Sequence, residues 1–186
     1  MPDGSQAPVS SAIVTLPNVI SFARICAVPV AVWLVLDNDF AAAFALFVAA
    51  GLSDALDGYL ARRFTRSKLG ALLDPVADKL LMVAMYVTLA ATARLPAWLT
   101  ILVVFRDLLI VGGVLVFWLV SHPVHIHPFA LSKINTALQI VLVAAVLFAA
   151  AFGIIPPTLL TALVWTVAAT TLITGAIHVW RGVSAQ

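Results

Sequence analysis

Residues 53–79 read SDALDGYLARRFTRSKLGALLDPVADK, and the reading of the whole chain turns on them. They hold four of its eight acidic residues, all aspartates: Asp54, Asp57, Asp74 and Asp78. The first two are three residues apart and the last two four apart, so on helices each pair presents its carboxylates on one face. The flanks are of another kind. FAAAFALFVAAGL precedes the stretch and LLMVAMYVTLAA follows it, both as apolar as lipid-facing or deeply buried helix. Ionised carboxylates in such surroundings are costly unless paired or bound to metal, so four together mark a candidate functional site. Oxygen-only ligands favour a hard cation, and two facing pairs have the donors for one or two Mg²⁺ or Mn²⁺ ions. The same aspartates would also serve a proton relay or ion pathway, as in a small transporter.

The chain of 186 residues is 63% hydrophobic and 10% charged, outside the soluble globular range and within that of polytopic membrane proteins. At roughly 20 apolar residues per span, its length accommodates about six helices with short loops. The expected fold is therefore all-α, an integral membrane bundle of six transmembrane helices over residues 17–182. A Ser-, Pro- and Gly-rich segment, 1–16, would precede it at the interface or without fixed order. A net charge of +2 gives no argument for nucleic acid. The single cysteine, Cys26, excludes an internal disulfide and reads as a packing residue. No Lys or Arg precedes Arg24 and no short apolar core ends in a cleavage site, so a cleaved signal peptide is not expected.

Apolar runs and turn residues predict spans over 18–36, from 40 into a polar-faced end near 62, and over 70–92, 97–120, 131–152 and 158–180. Asp37-Asn38-Asp39, Arg94-Leu95-Pro96 and GIIPP are the turns at one end. With the N-terminus inside, the cytoplasmic side receives Arg24, Arg62, Arg63, Arg66, Lys68, Lys133 and Arg181, and the other side keeps Arg94 with Asp37 and Asp39. That positive-inside asymmetry puts the aspartates at the cytoplasmic end, where nucleotide and phosphate substrates are available. A bacterial cytoplasmic membrane is the expected location.

Asp54, Asp57, Gly58 and Ala61 share a helical stripe, on which the Gly and Ala leave room beside the carboxylates. Arg62, Arg63, Arg66 and Lys68 follow. Carboxylate-bound cations beside guanidinium groups suit a pyrophosphate or phosphodiester, although the basic run would equally anchor a helix end at anionic head groups. The run Asp54-x2-Asp57-Gly58-x2-Ala61-Arg62-x7-Gly70-x3-Asp74-x3-Asp78 resembles the signature of the CDP-alcohol phosphatidyltransferases. Every motif residue type is present; the spacing between Arg62 and Gly70 is seven where the family usually has eight. LPNVISFAR resembles the start of that family's first span.

The resemblance implies a binuclear site. Asp54, Asp57 and Asp74 would ligate two Mg²⁺ or Mn²⁺ ions, and Asp78 would touch the second and act as general base. Gly58, Ala61, Arg62 and Gly70 would bind the cytidine diphosphate part of CDP-diacylglycerol. The implied reaction transfers a phosphatidyl group to an alcohol and releases CMP. Two later segments bear on that alcohol: Arg106-Asp107 in VVFRDLLIVGG and Lys133 in SKINTALQIVLVAA. Arg106 and Lys133 are candidate acceptor contacts; the alternative for Arg106-Asp107 is a structural intramembrane ion pair. The glycerol-3-phosphate-using branch tends to carry Lys-x-Lys-Thr where this chain has Lys133-x-Asn135-Thr136. One cation fewer suits phosphatidylglycerol, so the chain looks closer to the CMP-forming cardiolipin synthases, with phosphatidylglycerophosphate synthase as the alternative.

Among the remaining residues, His122, His125 and His127 lie between Pro123 and Pro128 in what reads as an ordinary loop. Lys79 is either an ion-pair partner or an interface anchor. Asn18 and Arg24 match the family's first-span pattern and would reach the nucleotide, with packing and snorkelling as the alternative. The five tryptophans lie mostly near span ends. Gly112-Gly113 and the alanine runs suit close helix packing or a homodimer interface.

Overall fold

A computed structural model describes the backbone of residues 16–60, 68–119 and 130–184, with side chains outside 16–21, 54–60, 68–75, 111, 113–119, 130 and 179–184. The N-terminal segment, Ala61, Arg62, Arg63, Arg66 and the histidine loop fall outside the described residues. Six helices make up the described chain: α1 (Leu16–Leu36), α2 (Phe40–Leu60), α3 (Lys68–Ala91), α4 (Ala97–Leu119), α5 (Ala130–Phe152) and α6 (Pro157–Ser184). All six stand where the apolar runs place them. Two, Leu131–Phe152 and Pro157–His178, are long and apolar enough over described residues to cross a membrane, and two shorter apolar stretches, Phe22–Leu36 and Phe40–Ser53, accompany them.

Packing closes the helices into a ring in the order α2–α1–α3–α4–α6–α5, with the most extensive contact between α1 and α3 and a slight one from α3 across to α5. Each half of the chain thus forms one arc, α2–α1–α3 and α4–α6–α5. The arcs meet where α3 touches α4 and where α2 touches α5.

The three turns named above lie at one end of the ring, and each ends its helix with a left-handed residue: Asn38 at φ 64°, Ala93 at φ 55° and Gly153 at φ 68°. Asp39 N–H donates to Leu34 O and Arg94 N–H to Leu89 O, the long closing bonds that satisfy carbonyls left over at a helix C-terminus. Asp39 then caps α2, its carboxylate accepting from Ala42 N–H at 3.1 Å. Asn and Gly tolerate the left-handed region; an alanine Cβ does so at a cost. Ala93→Gly is therefore expected to stabilise the protein by about 0.5–1 kcal/mol. Thermal unfolding in detergent checks this, and a lowered midpoint would mean that Ala93 does not hold this conformation in the protein.

Side chains sort along the ring axis. The apolar core lies toward the turn end, built from Val35, Phe40, Phe47, Met85, Leu89, Leu99, Leu142, Leu147 and Val167 among others. Phe148 bridges Phe44 and Phe152, Trp98 meets Trp165 at 5.3 Å, and the Arg94 guanidinium lies 4.6 Å from the Phe40 ring centroid. Further from the turns, buried polar and charged groups join the apolar ones, among them Arg24, Arg106, Asp107, Asn135 and Gln139. The outward surface is apolar. Cys26 departs from the packing role read from sequence: it is exposed, on an outward stripe with Phe22 and Val30 four residues to either side. In a helix apolar all round, flanking hydrophobicity does not say which face turns inward.

Candidate functional site

The helical backbone runs through Asp54, Asp57 and Gly58 near the end of α2, and through Gly70, Asp74 and Asp78 in the first half of α3. The i, i+3 and i, i+4 spacings therefore act as helical spacings, and each aspartate pair shares a face of its helix. Ala61 and Arg62 lie outside the described residues, as do the side chains of Asp54, Asp57 and Asp74. Among the described residues no three His, Cys, Asp or Glu side chains gather as a metal site. The donor set itself, carboxylates only, fits a hard divalent cation rather than zinc or copper.

Asp78 has a described environment. Arg24 of α1, buried, donates from Nη1 to Asp78 Oδ1 at 2.5 Å, while the Asp78 side chain is 43% exposed. Arg24 therefore joins the site, and packing or snorkelling alone does not describe it. The next residue, Lys79, points away from α1. Its Nζ donates to Asp107 Oδ2 of α4 at 2.5 Å, making it an ion-pair partner. Adjacent helix positions differ by about 100° around the axis, which is how neighbours in sequence reach different helices.

Asp107 is buried and shared. Arg106 Nη1 donates to its other oxygen at 3.0 Å, and Arg106 Nη2 donates to Ser132 Oγ of α5 at 2.7 Å. Arg106 and Asp107 thus do form a structural ion pair. Arg106 is held behind Ser132, one residue from Lys133, which is exposed near the start of α5. The Arg106 stem lies beside Gly175 of α6, where a Cβ would stand 3.7 Å from Cγ. Arg106 Nε has no hydrogen-bond partner among the described residues.

Asn135 faces away from the Lys133 side. It is fully buried, and its Oδ1 accepts from the hydroxyls of Thr170 and Thr171 of α6 at 2.8 and 3.0 Å. Asn135 thus ties α5 to α6 from within. Further polar groups not singled out in the sequence, Gln139 buried and His178 half-buried, continue this layer. Gln139 accepts from Tyr86 Oη through its backbone carbonyl at 3.4 Å, and His178 Nδ1 donates to Thr174 O at 2.7 Å. Their signal was periodicity: Ser132, Asn135 and Gln139, and Thr170, Thr174 and His178, recur at helical spacing within apolar runs.

The arrangement is a polar layer through five helices of the ring, α1, α3, α4, α5 and α6, with the Arg24–Asp78 pair on one side and Ser132 and Lys133 of α5 on the other. Carboxylates, guanidinium groups and an open lysine around it can hold a polyanion and accept a proton.

Comparison with known proteins agrees with the motif. The family model described as CDP-alcohol phosphatidyltransferase matches residues 14–176. A cardiolipin synthase (CMP-forming) of Homo sapiens is 36% identical over 156 residues, 75% of this chain and 52% of that protein. One of Streptomyces coelicolor is 43% identical over 112 residues, 55% of this chain and 52% of that protein. A chloroplastic CDP-diacylglycerol–glycerol-3-phosphate 3-phosphatidyltransferase of Oryza sativa subsp. japonica is 35% identical over 176 residues, 84% of this chain and 54% of that protein. The chain spans about half the length of these curated relatives.

Proposed function

Because the chain belongs to the CDP-alcohol phosphatidyltransferase family, we propose that it transfers the phosphatidyl group of CDP-diacylglycerol to phosphatidylglycerol, forming cardiolipin and releasing CMP. The observation that carries this reading is the family match across residues 14–176, which contains all eight signature residues. The acceptor rests on the relatives named cardiolipin synthase. The rice relative's name keeps glycerol-3-phosphate as the second reading.

In the proposed reaction Asp78 takes the proton of an acceptor hydroxyl. That oxygen forms a new bond to the phosphorus of the phosphatidyl group, and the bond from this phosphorus to the bridging oxygen of CMP breaks. Gly58, Ala61 and Gly70 leave space for the nucleotide, and Arg62 holds its diphosphate. Asp54, Asp57, Asp74 and Asp78 would hold the divalent ions, whose chemistry when bound is to neutralise charge on the diphosphate. Lys133 and Arg106 are the proposed acceptor contacts: Lys133 is exposed, and Arg106, buried and paired with Asp107, reaches this region through Ser132, the neighbour of Lys133.

We place all six helices in a membrane, the charge-rich end cytoplasmic. The support is an inverted distribution of polarity. On α4, Ile101, Phe105 and Leu108 are 68%, 59% and 65% exposed, whereas Arg106 and Asp107 are 4% and 7% exposed. Water as the surrounding solvent would favour the reverse, and lipid favours what is seen.

The test is CMP release by purified protein given CDP-diacylglycerol and Mg²⁺, with phosphatidylglycerol, glycerol-3-phosphate or inositol phosphate in parallel. Release with phosphatidylglycerol alone is expected. Release with glycerol-3-phosphate alone would keep the chemistry and replace the acceptor. No release with any alcohol, together with ion transport in proteoliposomes, would point to a transporter.

A further inference from the structure

The structure assigns a positioning role to Lys79: anchored on Asp107, it sets the rotation of α3 about its own axis and so the direction in which Asp78 points. This rests on the reading of Asp78 as the base. Asp78 and Lys79 are consecutive, and each pairs with a different neighbouring helix, Asp78 with Arg24 of α1 and Lys79 with Asp107 of α4, both at 2.5 Å. A rotation of α3 by one residue, about 100°, would break both pairs together. Asp74 shares the face of Asp78 four residues away and would turn with it. The anchor is itself fixed, since the second Asp107 oxygen accepts from Arg106, which is tied to Ser132 on α5. α3 therefore takes its rotation from α4 and α5 rather than from apolar packing alone. Below its buried residues Leu81, Met85, Tyr86 and Leu89, the described contacts holding the aspartate-bearing part include these two ion pairs.

Lys79 is the residue to change, because its side chain is 41% exposed and its loss leaves the Arg106–Asp107 pair intact. With purified protein in detergent, Lys79→Met is expected to lower kcat about 10- to 100-fold, the usual consequence of a catalytic group displaced by an ångström or so. The KM values for CDP-diacylglycerol and for the acceptor should stay within about twofold, since Lys79 contacts neither substrate in this scheme. Mn²⁺ binding, followed by electron paramagnetic resonance without substrate, should weaken several-fold as Asp74 and Asp78 turn together relative to the other proposed ligands, Asp54 and Asp57. Lys79→Arg, which keeps the pair with Asp107, should restore both readouts most of the way. An unchanged kcat and Mn²⁺ affinity in a Lys79→Met protein that unfolds at a lower temperature would overturn the proposal and leave the pair a stabilising contact only. A raised KM with unchanged kcat would overturn it in favour of direct substrate contact. Failure of the functional reading is recognised separately, because the wild-type protein would then release no CMP with any alcohol.

Discussion

Asp78→Asn is expected to abolish CMP release, lowering it by at least about 10³-fold, while the protein stays folded. General-base catalysis by a positioned side chain contributes about 10²–10⁴-fold, and asparagine has no basic oxygen to accept the proton. The amide oxygen can still face Arg24 of α1, although the pair loses its charge, so the α1–α3 packing should survive. The variant should also bind Mn²⁺, more weakly, through the remaining three aspartates. Size-exclusion profile and thermal midpoint establish folding, and CMP release under saturating substrates establishes turnover. A variant that keeps a tenth or more of wild-type turnover would remove Asp78 from the role of base.

The second large effect is on stability. Asp107→Leu should cost about 3–5 kcal/mol, because it leaves the Arg106 guanidinium buried without its carboxylate. Ser132 remains beside Arg106, and a neutral hydroxyl does not compensate a buried cation. Lys79 is spared much of this, since its exposed stem lets the ammonium reach water or head groups. The double replacement Arg106→Met with Asp107→Leu should recover part of the loss, as exchanging a whole buried pair for apolar side chains often does. Equilibrium unfolding of the two variants measures the difference. A single variant as stable as wild type would mean that the pair is not buried in the protein.

How far sequence carries such a protein depends on what each feature needs. Helix positions need only length and composition: apolar runs of about 20 residues, interrupted at Asp37-Asn38-Asp39, Arg94-Leu95-Pro96 and GIIPP, leave little other choice. The family needs only residue types at set spacings, and Asp54 through Asp78 supply them on two helices. The chemistry proposed for the chain was therefore legible before any coordinates.

Neighbours were not legible. A helix apolar on every side carries no stripe to say which face turns inward, so the ring order α2–α1–α3–α4–α6–α5 came only with the tertiary structure. The same holds for Cys26, read as a packing residue and found exposed. It holds also for Asn135, whose carboxamide meets Thr170 and Thr171 more than thirty residues away in sequence. Lys79 had two readings from sequence, and its bond to Asp107 makes it an ion-pair partner; Arg106 pairs with the same carboxylate. The physical reason shows most plainly in the contacts that cross between helices, Asn135 with α6, Lys79 with α4 and Arg106 with α5. Spacing along one helix is a local property written in consecutive residues, whereas a buried polar group takes whichever partner the packing of other helices brings within reach.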